Sequence, residues 1–426
     1  MVIMNWKRFF ISMYYFLKLI FFSKNCDVVF VSSTAFNRGE NQENTLLKPM
    51  IEFCVKNDLS HIIFEDTAFG THIDYKINQK SVPFDFIKVI QIILRKIYHI
   101  KYEEPSTQDQ VYTREKKLSK IIKKIFFRKF HSKVYITLIW NNVTLWRAIN
   151  PGSCIVDYQH AYIFDGEDSY INNGRPPKLI SDNNVVAFVH GNKYKSILID
   201  CDRSNYYSEK NVLTVGLNKP LNLKKKEILN NKKILFTLQL TPDFNKKVNE
   251  NYADIVKKII DVNAKFLSEN NYEIIFRHHP RFVSKDCPNI EIDHDFLYFD
   301  NESTISSLIN EVCLHMTFNS NSAFDAAMLK IPTIFIDMHE ETSPREMFLN
   351  QYQYPFRDLF INNYMDLKDI LLKINNKQTY NQHCDDVHKW SKEFYQNFNE
   401  DLFGSFLFDC MNNYKHDTEE KSNQYK

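Results

Sequence analysis

Three clusters of residues in this chain could carry chemistry, and the two densest lie between Tyr272 and Asp337. In YEIIFRHHPR, the short apolar run Ile274–Phe276 breaks into Arg277, His278, His279, Pro280 and Arg281. Guanidinium forks match phosphate oxygens, and an imidazole N–H can donate to a leaving phosphate. Pro280 then turns the chain outward. In EVCLHMTFNSNSAFDAAMLKIPTIFID a second apolar run ends in Asn319, Ser320, Asn321 and Ser322 before a helical stretch, Ala323–Leu329. A helix start needs one capping side chain, and its N–H groups and dipole favour an anion. Four short polar residues exceed what a cap requires and point to a nucleotide phosphate. Fixed donors and positive groups of this kind can stabilise a departing nucleoside phosphate with no metal required.

The third cluster is IVDYQHAYIFDGEDSY. A strand ends in Gln159 and His160, and a turn then offers Asp165, Gly166, Glu167 and Asp168. Transfer onto a hydroxyl acceptor needs a base, and His160, Asp165 or Asp168 can serve; clustered carboxylates raise one another's pKa toward neutrality. An acidic surface loop accounts for any single carboxylate better than catalysis does, so His160 leads. Glu340 and Glu341 can receive donor hydroxyls, although helix N-terminal charge explains them equally well.

Each cluster lies where an apolar strand ends, which is where open α/β sheets bind ligands. The strands expected in the first half are Asp27–Ser33, His61–Glu65, Val134–Trp140, Ile155–Gln159, Val185–His190 and Val212–Gly216, alternating with helices such as Pro83–Ile100 and Arg114–Phe130. Such alternation predicts an α/β chain with a doubly wound parallel sheet. The Lys- and Asn-rich break at 217–233 reads as a linker between a Rossmann-like domain at 1–216 and a second one at 234–384. A C-terminal helix at 385–413 and a disordered tail at 414–426 complete the expectation.

Composition narrows the function classes. Across 426 residues, Lys+Arg 54 against Asp+Glu 52 leaves a net charge of +2, which gives no argument for nucleic acid. Gly totals only 8, and neither GxxxxGK[ST] nor GxGxxG occurs. The eight cysteines include no CxxC pair and read as reduced core residues of a cytoplasmic protein. No histidine has structural-zinc spacing, so no metal or other cofactor is expected. Trp6–Phe22 is too short and too charged to span a bilayer. It reads either as a buried first helix or as a helix on the inner-membrane surface, with Lys7, Arg8 and Lys18 at the headgroups. The basic stretch Glu115–Lys133 could face anionic lipid or an anionic polysaccharide, but a solvated helix face accounts for it better.

Arg277–Arg281 resembles the HP motif of bacterial sialyltransferases and capsule polymerases, and Ser320–Ser322 their downstream serine motif. Gln159 and His160 resemble the QHG region of bacterial surface-polysaccharide transferases, with Ala161 in place of the usual Gly. The turn at 165–168 occupies the place of those enzymes' acidic motif with its letters rearranged. NSNSAFD and KIPTIF are also similar to a run in the CDP-glycerol glycerophosphotransferases of teichoic-acid synthesis. The resemblance implies the GT-B architecture, two Rossmann-like domains facing a cleft with C-terminal helices crossing back. It further implies a metal-independent, inverting glycosyltransferase moving a sugar from a nucleotide-sugar, a CMP-sugar first, to a capsule or lipopolysaccharide glycan or a lipid-linked acceptor. Arg277, His279, Pro280, Arg281, Ser320, Asn321 and Ser322 would hold the nucleotide, with His279 also assisting departure. Transfer of a polyol phosphate from a CDP donor is the alternative, and a non-catalytic nucleotide-binding component a further one.

Overall fold

The computed structural model describes residues 5–37, 44–66, 80–101, 107–138, 142–165, 169–217, 232–240, 246–278, 290–339 and 343–414. The chain divides into two compact units, residues 1–218 with 396–426, and residues 219–395.

The first unit holds β1 (Lys24–Ser33), β2 (His61–Asp66), β3 (Val82–Pro83), β4 (Phe130–Leu138), β5 (Cys154–Tyr158), β6 (Val185–Val189) and β7 (Val212–Thr214). They form one sheet in the order β3-β2-β1-β4-β5-β6-β7, and every pairing is parallel. Val28, Val29, Phe30 and Val31 of the central β1 are all buried, as a strand covered on both faces requires. The helices are α1 (Trp6–Phe21), α2 (Lys48–Lys56), α3 (Asp85–Lys101), α4 (Gln108–Phe126), α5 (Val143–Ile149), α6 (Lys178–Ser181) and α7 (Asn192–Cys201). An aromatic core joins them: Trp146 stacks on Phe64 at 5.6 Å and on Tyr135 at 5.1 Å, and Phe16 of α1 packs on Phe64 at 5.7 Å. Full burial of such a ring contributes roughly 2–3 kcal/mol.

The second unit repeats the plan with β8 (Lys233–Thr237), β9 (Glu273–Arg277), β10 (Leu297–Phe299), β11 (Leu314–Thr317), β12 (Thr333–Ile336) and β13 (Phe360–Ile361). Their order is β10-β9-β8-β11-β12-β13, again with parallel pairings throughout. This is the strand order of a dinucleotide-binding Rossmann domain. Its helices are α8 (Lys246–Glu269), α9 (Ile305–Ile309), α10 (Ser322–Met328), α11 (Asp366–Ile374) and α12 (Lys377–Phe394).

Three differences from the sequence reading have clear causes. β3 and β13, each of two residues, are too short to show any hydrophobic period. The helix expected over 385–413 is broken: α12 ends at Phe394, and a new helix, α13 (Glu400–Asn412), starts on an Asn399 cap and belongs to the first unit. Between them the backbone is spent on first-unit partners, Gln396 N to His190 O and Asn399 N to Val215 O, both 2.8 Å. Gly216, at φ +80°, lies so close that a Cβ there would collide with the Asn397 carbonyl oxygen, so only glycine fits.

The third difference concerns Arg8, which the membrane-surface reading of Trp6–Phe22 would place at the headgroups. It is buried, with Nη1 on Glu65 at 2.7 Å and Nη2 on Asp85 at 3.0 Å. Burial alone would lower its pKa, but Asp85 and Glu65 outweigh it and hold the guanidinium above its ordinary value. The expected linker falls almost wholly outside the described residues, as does nearly all of the expected disordered tail.

Candidate functional site

In the second sheet the strand order reverses between β8 and β11, and the carboxyl ends of those two strands bracket the place where such sheets take ligands. The polar run Asn319–Ser322 follows β11 directly, so the topology sets it at this reversal. Phe318, buried edge-on against Tyr252 at 4.4 Å, anchors the turn from below. Gln239, just after β8, accepts from Asn319 N at 2.6 Å, and Thr317 Oγ1 donates to Thr237 O at 3.1 Å. Phe324, one turn into α10, stacks on Trp390 of α12 at 4.9 Å and fixes the helix.

Beneath the turn lies a buried network centred on His315. Its Nδ1 is 3.0 Å from Thr333 Oγ1, and its Nε2 is 2.9 Å from Thr237 Oγ1 and 3.1 Å from Ser322 Oγ. Ser322 in turn donates to Ser320 Oγ at 2.8 Å. Full burial pushes the His315 pKa down to about 3, so the ring is neutral at physiological pH. Because the Ser322 proton goes to Ser320, the Nε2 contact is a hydrogen bond only if Nε2 carries the ring proton. Nδ1 then accepts from Thr333, and the chain of donors runs outward to Ser320, whose own proton is left to turn toward a ligand. Ser320 is half-buried, so the relay ends at the surface. An outward-facing donor relay suits an anion. The helix-dipole argument weakens, since α10 has only seven residues.

Arg277 ends β9, two strands from β11. Its Nη1 donates to the Asp300 carbonyl at 3.2 Å, toward β10, and burial lowers its pKa while Asp300 opposes that shift. Its observed bond therefore runs away from the serine turn. His278, adjacent to it, stacks on Phe299 at 5.3 Å, and burial lowers its pKa too. His279, Pro280 and Arg281 lie outside the described residues, as do Glu340 and Glu341.

In the first unit Gln159 is buried and wholly engaged. Its Oε1 accepts from His190 N at 2.9 Å, and its Nε2 donates to Ala161 O at 2.6 Å, tying the ends of β5 and β6 together. His160 follows it, half-buried, with its ring edge on Phe36 at 5.9 Å. Asp165 is exposed and stands near Cys201 at the end of α7, whose thiol pKa is raised by burial and then by Asp165. The two base candidates thus have different neighbours. Gly166, Glu167 and Asp168 fall outside the described residues.

The sequence reading missed His315, Thr237, Gln239 and Thr333. A signal existed: polar residues interrupt buried strands in LHMT, KILFT and TIFI, where a purely structural parallel strand would be apolar throughout.

No protein-family model matches this chain, and no curated protein does. Solved structures do. A S. aureus MnaA–UDP co-structure is 10% identical with TM-score 0.51, over 91% of this chain and 97% of that one. A variant of the wall teichoic acid polymerase TagF is 12% identical with TM-score 0.51, over 98% and 100%. The glycosyltransferase SnogD from Streptomyces nogalater is 8% identical with TM-score 0.51, over 91% and 100%. At these identities the likeness establishes the fold, which is GT-B.

Proposed function

We propose that this chain is a transferase that binds a nucleotide-activated donor in its second unit and moves the donor's sugar onto a glycan or lipid-linked acceptor. The observation that carries this reading is the hydrogen-bonded network Thr333–His315–Ser322–Ser320 at the strand-order reversal of the second sheet, which the Nε2–H tautomer of His315 directs outward. Departure of a nucleoside phosphate leaves negative charge on oxygen, and preorganised donors in a low-dielectric site stabilise that charge without reorganising. Ser320 and Asn321 meet the phosphate, and Ser322 orients Ser320. Arg277, His279 and Arg281, around Pro280, supply positive charge. His160, Asp165 or Asp168 takes the proton from the acceptor hydroxyl. The glycosyltransferase SnogD and the UDP bound to MnaA support nucleotide-sugar chemistry on this fold.

A CMP-sugar donor and a capsule or lipopolysaccharide acceptor follow from the HP-like and serine motifs. The likeness to a wall teichoic acid polymerase, which extends over nearly the whole of both chains, favours a second reading, transfer of a polyol phosphate from a CDP donor. The two differ in their product, a glycosidic bond against a phosphodiester.

The test is thermal unfolding of the full chain with CMP, CDP, UDP or GDP, with and without EDTA. A ligand bound only by the folded state raises Tm by mass action. Stabilisation by CMP or CDP that persists in EDTA and is lost in His279→Ala supports the reading. Preference for UDP or GDP keeps a nucleotide-dependent transferase but discards the cytidine donor. No shift with any nucleotide overturns it.

A further inference from the structure

The first unit exposes apolar side chains that its own core does not use. α1 is amphipathic in the inverted sense: its inward stripe is Arg8, Ser12, Phe16 and Leu19, and its outward stripe is Trp6, Phe10, Tyr14, Leu17 and Phe21. Tyr14 is 70% exposed and Phe21 69%. α3 adds Ile93, Ile97 and Ile100, the last 88% exposed, and α4 adds Ile121 and Ile125. Of twenty-one large hydrophobic side chains exposed among the described residues, fourteen belong to these three helices and to Phe22 just after α1. The helices pack on one another through Phe9–Phe86 at 5.7 Å and Phe86–Phe126 at 5.4 Å, so their outward stripes adjoin. Single exposed apolar residues are ordinary, but such a concentration marks a contact surface.

Charge indicates what covers it. The acidic residues of the three helices are Asp85, buried on Arg8; Asp109, on Lys178 at 2.6 Å; and Glu115, held by Arg95 at 2.9 Å and Arg114 at 2.8 Å. All three are engaged by cations. Exposed beside the apolar stripes stand Lys7, Lys18, Lys96, Lys120 and Lys124. Tryptophan, tyrosine and phenylalanine bordered by lysines suit the headgroup region of an anionic bilayer. Among the described residues no helix is long and apolar enough to cross a membrane, so contact would be along the surface.

We propose that this face docks the protein on a bilayer containing anionic phospholipid. The α1 stripe enters the boundary between headgroups and acyl chains, and the lysines of α4 lie over lipid phosphates. The proposal requires no nucleotide and stands or falls apart from the transferase reading.

The test is cosedimentation of the full chain with vesicles of equimolar phosphatidylglycerol and phosphatidylcholine, compared with phosphatidylcholine alone, at low and high salt. The expected result is binding to the mixed vesicles that high salt weakens, with little binding to phosphatidylcholine. The triple variant Phe10→Ser, Tyr14→Ser, Phe21→Ser, unchanged in Tm because these side chains face outward, lowers affinity by about tenfold or more. Lys120→Glu with Lys124→Glu lowers it by about tenfold. No binding to the mixed vesicles, binding that both sets of substitutions leave intact, or equal binding to both vesicle types would overturn the proposal. So would a dimer in solution that the aromatic triple variant dissolves, which would assign the face to a second copy of the chain.

Discussion

Each unit buries a polar network around one basic side chain, Arg8 in the first and His315 in the second, and the two are built on opposite principles. In the first, Arg8 is locked between Glu65 and Asp85, and Asn37 donates to Glu65 Oε2 at 2.6 Å. Its charges face one another inside the fold, one guanidinium against two carboxylates, and it pins α1 to β2 and to the start of α3. In the second, the network around His315 carries no formal charge and passes its donors outward to Ser320. A closed ionic cluster can hold a helix in place, but it offers nothing to a ligand. A neutral relay of hydroxyls contributes less to stability and leaves a directed donor at its end.

The largest effect should come from Arg8→Met, which leaves two carboxylates facing each other in the core. A loss of about 3–5 kcal/mol is expected in urea titration. Adding Glu65→Gln and Asp85→Asn to that variant should restore much of the loss, since neutral partners remove the uncompensated charge. If the single variant were as stable as the parent, the contrast between the networks would fail.

His315→Ala should cost about 1–3 kcal/mol, because Ser322, Thr237 and Thr333 each lose a buried partner. It should also abolish the nucleotide-induced rise in Tm. Loss of stability with that rise intact would make His315 a structural residue only.

The pH dependence separates the networks further. Above the ordinary imidazole pKa of 6.5, His315 is neutral whether the chain is folded or not, and stability is at its full value. As pH falls from 6.5 toward about 3, the unfolded chain takes up a proton that the folded chain refuses, so stability falls. Below about 3 the folded ring protonates as well and this contribution levels off. In His315→Asn, stability across that window should fall less steeply with acid than in the parent; an identical slope would mean the buried ring is not the titrating group.

Ser320→Ala should be the mildest for stability, within about 0.5 kcal/mol, since the hydroxyl is half-buried at the network's end. Its effect on nucleotide affinity should nonetheless reach about tenfold, the worth of one hydrogen bond to a charged group. Calorimetric titration with CMP or CDP measures both the affinity and its loss. Unchanged affinity would place the phosphate elsewhere.

Much of this molecule was legible in its residues, and the boundary of legibility is instructive. The central strand β1 declared itself through VVFV, because a strand covered on both faces must be apolar along its whole length. The serine turn was visible as four short polar residues after a buried run. Arg277 was equally visible, yet its guanidinium bonds to Asp300 O beside β10, because the direction of a long side chain depends on neighbours that come from elsewhere in the chain. Gln159 shows the same limit: prominent in sequence, it spends both ends of its amide on β5 and β6.

The sequence by itself determined where the longer strands lie, that they alternate with helices, and which strand ends carry polar residues. Those properties are local, set by hydrophobic period and turn chemistry within a few residues. Only the tertiary structure decided that β8 and β11 are neighbours, and hence that Thr237, His315 and Ser322 meet although Thr237 and Ser322 lie 85 positions apart. It alone decided that Arg8 turns inward while Trp6, Phe10 and Tyr14 face out. A buried charge is tolerated only where opposite charges are delivered to it, and Glu65 and Asp85 reach Arg8 from other elements of the fold.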